Sequence, residues 1–171
     1  MGLFATGVTV MAVDVAGGTH GMTANAVSSV SLEPLLLLVC VDHRARLHEQ
    51  LTVGRAFSVN VLREEQEPLS RYFAGSWPAS RPPEFRFQRW EGGPLLVGAL
   101  AAAGCRVAGL LDGGDHTIVL GEVIGLHTGE PGSPLLFFGG RYRHLKEAEE
   151  YVGAPADPWT HETVRVFYDE S

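Results

Sequence analysis

Gly21-Met22-Thr23-Ala24-Asn25-Ala26-Val27-Ser28-Ser29-Val30-Ser31 is a run of small residues and short hydroxyl and amide side chains between two apolar strand candidates. Thr6-Gly7-Val8-Thr9-Val10 precedes it, and Pro34-Leu35-Leu36-Leu37-Leu38-Val39-Cys40-Val41 follows. Small side chains let a ligand approach the backbone closely, and Thr, Asn and Ser carry donors and acceptors at short, fixed reach. That suits a planar ligand with polar edges better than an ion. Taken alone, the segment reads first as a Ser/Thr-rich turn between strands.

Outward from it, apolar β-branched runs bounded by Gly, Pro or Asp dominate. They predict strands over Thr6–Asp14, Met22–Ala26, Leu36–Val41, Ala56–Leu62, Cys105–Leu111, His116–His127 and Leu135–Phe138. Gly17-Gly18 marks a hairpin turn between the first two strands, and Asp112-Gly113-Gly114-Asp115 the turn of a longer one. Two short helices are expected. Arg44 to Leu51 sets Leu47 and Leu51 at i and i+4, and Pro68 to Ala74 sets Leu69, Tyr72 and Phe73 on one face. Many strands and few helices predict a mostly β fold, a closed and mostly antiparallel barrel with short helices at the rim. Gly75 to Glu84, with three prolines, is the one long loop, and the sequence carries no internal repeat. The character changes after about Glu147. Residues 1–147 therefore read as the domain, and 148–171 as an arm packing on it or on a partner subunit.

The 171 residues fit one domain with a real core, at an ordinary globular composition of 45% hydrophobic and 19% charged residues. The longest apolar run, Leu35 to Val41, is too short to span a bilayer, so no membrane association is expected. The N-terminus shows neither a basic n-region nor a cleavage-like site, so secretion is not expected. Cys40 and Cys105 lie in separate apolar segments without CxxC spacing; buried free thiols and a cytoplasmic setting are the expectation. A net charge of −7 without a basic stripe makes nucleic acid a poor partner, and an anionic cofactor would need a local basic patch.

Several chemistries lose support by what is missing. There is no GxxxxGK[ST] loop, no GxGxxG after a strand, no HExxH and no GxSxG. The histidines are scattered, His43 and His48 lie five apart, and no metal site is expected. Strands do not alternate with long helices, which argues against a Rossmann dinucleotide fold.

Thr6-Gly7-Val8-Thr9, His20 to Ala26, Ser29 to Pro34, Cys40-Val41-Asp42, Phe57 to Leu62, Gly114 to Thr117, Gly121-Glu122-Val123 and Gly140 to Arg143 occur in this order. Together they resemble the flavin reductase family with the FMN-binding split-barrel fold, over roughly residues 3 to 145. This family includes the reductase components of two-component flavin-dependent monooxygenases. The resemblance implies an NAD(P)H:flavin oxidoreductase that passes hydride from NADH or NADPH to FMN or FAD. It further implies a homodimer, and delivery of reduced flavin to a separate monooxygenase. A flavin-binding member of the same fold repurposed for another reaction, or for binding alone, is the alternative; a structural β-barrel without ligand is a third reading.

By that resemblance, Thr23, Ala24, Asn25, Ser28, Ser29 and Val30 would hold the flavin ring edge. The phosphate would lie against the turn from Cys40 through Asp42, Arg44, Ala45 and Arg46, at what reads as a helix start. The family often has Ser or Thr in this turn; Ala45 departs from that pattern and shifts weight to Arg44, Arg46 and main-chain N–H groups. Without the resemblance, the two arginines read equally as a solvated helix start. Gly114-Asp115-His116 would lie at the open face of the flavin, where the nicotinamide docks. His116 would orient the nicotinamide or settle the reduced flavin's charge, against the reading of a turn histidine bonded to its own hairpin. Arg141, Tyr142 and Arg143 would meet the nicotinamide nucleotide's phosphates, or form a surface cluster at a strand end. Phe73 reads as helix core.

Overall fold

A computed structural model describes residues 2–145. The predicted C-terminal arm and its boundary at 147 lie outside the described residues. The chain is mostly β. Seven strands form one antiparallel sheet: β2 (Thr9–Val15), β3 (Gly18–Ala24), β4 (Val27–Leu32), β5 (Leu35–Asp42), β6 (Ala56–Val61), β9 (Ala101–Asp112) and β10 (His116–Thr128). Their spatial order is β3-β2-β6-β9-β10-β5-β4. Three shorter strands, β1 (Thr6–Gly7), β11 (Leu136–Phe138) and β12 (Arg141–Arg143), make a second sheet, and β7 (Phe87–Trp90) pairs with β8 (Gly93–Leu96).

The period of two in β5 explains why one apolar run can edge a site. Leu37, Val39 and Val41 are buried, while Leu38, Cys40 and Asp42 alternate with them half-buried. Phe57, also fully buried, lies where a side chain at position 121 would point; a Cβ on Gly121 would stand 2.5 Å from its Cζ. The sheet curls far enough for strands from both ends to share one core, in which Met11 and Ala24 meet Val39, Phe57, Val107 and Val119.

The hydrogen-bonded sheet nevertheless keeps two edges, β3 and β4, so the closed barrel expected from the sequence is corrected to an open, curled sheet. The edges approach without pairing as strands: the chain turns from β3 into β4, and the Cys40 amide donates to the Ala26 carbonyl at 3.0 Å. The Gly17-Gly18 hairpin and the Asp112–Asp115 turn lie where the sequence places them. The strands β4, β7, β8 and β12 are not among those the sequence predicts.

The expected helix over Arg44–Leu51 is also corrected. Only a 3-10 turn at His48–Gln50 forms there. The Asp42 carboxylate accepts the Arg44 amide at 2.8 Å, and the Asp42 carbonyl accepts the Ala45 amide at 2.9 Å. An Asp that caps its own turn competes with helix formation, and eight residues are too few to resist it. Leu47 and Leu51 still act as the apolar pair, both buried. The second helix, α1, runs Glu67–Phe73 with a proline in its first turn, close to expectation.

Candidate functional site

Register brings three of the sequence-marked segments to one end of the large sheet. His116, at the start of β10, stands directly opposite Asp42 at the end of β5. Val27, at the start of β4, pairs with Val39 on the other side of β5. The His43 amide donates to the Asp115 carbonyl at 3.1 Å, and His48 Nε2 lies 2.8 Å from Thr117 Oγ1, which fastens the 42–48 turn to β10.

The polar edge is β4. Ser28, Ser29 and Val30 are exposed on this sheet-edge strand. The register skips between Ser29, opposite Leu37, and Ser31, opposite Leu36, so Val30 sits in a bulge with no partner residue. Bulges at sheet edges re-aim side chains and leave the extra residue unpaired. Asn25 is exposed, its amide nitrogen 3.3 Å from Thr6 Oγ1. Thr23 and Ala24 differ from these. Thr23 Oγ1 donates to the Ser70 carbonyl at 2.7 Å and ties α1 to β3. The Ala24 side chain is buried in the core, and its carbonyl accepts from Thr9 Oγ1 at 2.8 Å.

A cleft of about 780 Å³ opens elsewhere, between β3, the 44–47 turn and the end of α1. Arg44, Ala45 and Arg46 line one wall; Tyr72, Phe73 and Phe85 line another. Gly21 makes room on the β3 side, since a Cβ there would stand 2.7 Å from Phe73 Cε1. The two arginines are not equivalent. Arg44 grips Asp42 with Nε at 3.1 Å and Nη2 at 2.7 Å. Those side-chain hydrogen bonds, with the Arg44 amide, hold the Asp42 carboxyl well below the usual carboxylate range, so the pair stays charged and self-neutralised. Arg46 has no ion-pair partner among the described residues and is the uncompensated cation of the cleft.

His116 Nδ1 lies 2.7 Å from Asp115 Oδ1, with its side chain 38% exposed. That hydrogen bond, with the imidazole's charge, lowers the Asp115 pKa, so the carboxylate stays ionised beside the ring. A carboxylate at Nδ1 fixes the tautomer and leaves Nε2 for a ligand. Among the described residues no three His, Cys, Asp or Glu side chains group as a metal site. Cys40 and Cys105 are free; Cys40 is half-buried, and burial pushes the Cys105 thiol up to about 12.

Arg141, Tyr142 and Arg143 are not brought to the cleft. They form β12 in the small sheet, where the Tyr142 hydroxyl lies 2.9 Å from Ser70 Oγ and Arg71 stacks over the ring at 4.9 Å. Tyr142 packs, half-buried, against the second core cluster; Arg141 and Arg143 are exposed. Tyr72 and Phe85 line the cleft and are not among the site residues that the sequence marks. Phe85 follows a proline-rich loop with no periodicity, so no sequence signal marks which surface it reaches.

The cleft thus has one basic and one aromatic wall, chemistry that a phosphate-bearing aromatic ligand would match. Residues 1–146 match the model of the flavin reductase like domain. The NADH-dependent FAD reductase of Streptomyces globisporus is 45% identical over 154 residues, covering 84% of this chain and 81% of that protein. The reductase component of 4-hydroxyphenylacetate 3-monooxygenase from Thermus thermophilus is 45% identical over 142 residues, covering 83% and 90%. Among solved structures, flavin reductase PheA2 superposes with a TM-score of 0.79 at 42% identity, covering 86% of this chain and 94% of that one. The chain belongs to the flavin reductase family.

Proposed function

We infer that this protein is an NADH-dependent flavin reductase that supplies reduced flavin to a separate monooxygenase. The observation that carries the reading is that register sets His116 opposite Asp42, at the end of β5 from which the Arg44–Arg46 wall of the cleft runs on. The residues present fit a flavin: Asn25, Ser28, Ser29 and the unpaired backbone at Val30 for the ring edge, Arg46 for the phosphate. Bound flavin supplies a ring that accepts hydride, and the reduced nicotinamide supplies the hydride.

The chain's own residues bind and orient. Short donors on β4 fix the ring edge, and Arg46 anchors the phosphate end. His116, held at Nδ1 by Asp115, presents Nε2 to the reacting side, where it accepts a hydrogen bond when neutral and donates one when protonated. NADH oxidation with and without added FMN or FAD tests the reading. Flavin binding without any NADH oxidation would leave a binding module instead. Delivery to a monooxygenase is supported by relatives such as the Thermus thermophilus reductase component.

Asn25→Leu is expected to weaken FMN binding by about 0.5–1.5 kcal/mol, one neutral hydrogen bond. Thr6→Val removes the partner of Asn25 without touching Asn25 itself and serves as the control. Fluorescence titration checks both; unchanged affinity in Asn25→Leu removes this residue from the ring edge. A bulky residue at position 24 would instead test core packing, because the Ala24 side chain is 6% exposed.

A homodimer is part of the same reading. Val30 and Leu32 on β4, Leu110 and Leu111 on β9, and Ile124 and Leu126 on β10 are large apolar residues left exposed. A second subunit that covers some of these residues would deepen a shallow site. Light scattering is expected to give twice the chain mass. The two free cysteines support a reducing, cytoplasmic setting. Among the described residues no helix is long and apolar enough to cross a membrane.

A further inference from the structure

The turn that carries Arg46 and the hairpin that carries His116 are fastened to each other at two points. His48 Nε2 lies 2.8 Å from Thr117 Oγ1, a part-buried contact between residues 69 positions apart. The second tie is main-chain, from the His43 amide to the Asp115 carbonyl at 3.1 Å. Together they hold the chain on both sides of His116. Successive side chains of a strand point to opposite faces. Thr117, opposite buried Val41 in register, therefore shares the face of buried Val119, and His116 takes the other face with Asp42. A bond on the Thr117 side chain thus fixes the tilt of the strand that aims the imidazole on the reverse side. His48 is itself a firm support. Its amide donates to the Ala45 carbonyl at 2.9 Å, its carbonyl accepts the Leu51 amide at 3.1 Å, and Leu47 and Leu51 are buried. The His43 ring packs against its ring with centroids 4.9 Å apart. Both main-chain contacts survive a change of side chain at this position, so the imidazole's own contribution is the bond to Thr117.

We propose that His48 is a positioning residue for flavin reduction: through Thr117 it sets the orientation of His116 toward the reacting side. The proposal rests on the reductase reading, in which His116 faces the nicotinamide. His48 Nε2 bonds Thr117 in either tautomer, accepting from the hydroxyl when Nδ1 carries the proton and donating to it otherwise. The turn around Arg46 is closed by the His48 amide rather than by its ring, so phosphate binding does not depend on the imidazole. Loss of one such side-chain hydrogen bond changes a local equilibrium about twofold to tenfold.

The test uses the full chain with two variants that remove the bond, His48→Leu and Thr117→Val, and two that keep it, His48→Gln and Thr117→Ser. Glutamine sets its amide nitrogen near the place of Nε2, and valine keeps the β-branched shape of threonine, so Thr117→Val serves should His48→Leu fold poorly. At saturating FMN, single-turnover reduction by NADH is expected to slow about threefold to tenfold in both removing variants, with FMN affinity held within about twofold. The keeping variants should stay within about twofold of wild type. In a His116→Ala background, His48→Leu should add less than about twofold, because a residue that acts through another has nothing left to position. Ligand-free protein gives a readout apart from activity. Amide hydrogen exchange at residues 113–117 is expected to rise about threefold or more in the removing variants, relative to the core strands. Wild-type reduction rates or unchanged exchange in both removing variants would overturn the proposal and leave the reductase reading intact. So would full additivity with His116→Ala, or equal losses in the keeping and removing variants, since either marks general damage to the fold. Wild-type protein that binds FMN and reduces none of it would refute the reductase reading, and this role with it.

Discussion

Replacing Arg46 by Ala will weaken FMN binding about tenfold or more while leaving riboflavin, which lacks the phosphate, nearly unaffected. A charge-assisted contact to a phosphate is worth about 1.5–3 kcal/mol, and Arg46 brings an uncompensated charge to the cleft wall. Arg44 carries the same charge and sits two residues away, but its guanidinium is spent on Asp42. Deleting Arg44 alone exposes the Asp42 carboxylate to the same cleft and adds repulsion. The informative comparison is therefore the double variant Arg44→Ala with Asp42→Asn, which removes both charges together. An exposed, self-neutralised pair contributes little, so the double variant should shift FMN affinity by less than about twofold. Raising the ionic strength should narrow the gap between wild type and Arg46→Ala, because the contact is solvent-accessible and screened. Equal losses for FMN and riboflavin in Arg46→Ala would show that this arginine acts on something other than the phosphate.

The difference between the two arginines could not be read from the sequence. Both occupy one short stretch, and their pairing depends on which side chain Asp42 captures once β5 ends. The same capture defeats the predicted helix, so one local hydrogen-bonding choice undoes two expectations. What the sequence shows well is whatever follows from period and turn chemistry. The alternation in Leu35–Asp42, the glycine hairpin at 17–18 and the Asp112–Asp115 turn all dictate local geometry, and strand register then carries His116 to Asp42. Sheet closure is a different kind of property. It depends on whether β3 and β4 exchange hydrogen bonds after the sheet curls, and nothing in either strand's pattern encodes that. Tyr142 shows the same limit. Its motif marks a strand end, while its partner, Ser70, lies 72 residues earlier on α1. The aromatic wall is less legible still, because Tyr72 and Phe85 meet only through the folding of an irregular loop.

His116→Ala is expected to slow flavin reduction by NADH about tenfold or more, with melting temperature and FMN affinity nearly unchanged. Among the described residues the side chain's hydrogen bond goes to its neighbour, Nδ1 to Asp115, and the hairpin itself is closed by main-chain contacts, including the Gly113 amide on the His116 carbonyl at 2.9 Å. An alanine keeps that main-chain contact, so a purely structural role has little to lose. A group presenting Nε2 to the reacting side has more, since one positioning contact worth about 1.4 kcal/mol in the transition state is a factor of ten. Single-turnover reduction, FMN titration and thermal unfolding on the same preparation separate the two. Asp115→Asn gives a second reading, because it leaves the imidazole in place and removes the carboxylate that orients it. Its effect should have the same sign as His116→Ala and be smaller, and the two together should cost less than the product of the single effects, as expected when one residue acts through the other. A normal reduction rate with a lowered melting temperature in His116→Ala would make His116 a hairpin residue. The convergence of segments on this end of the sheet would then mark a flavin-binding site without its reacting side.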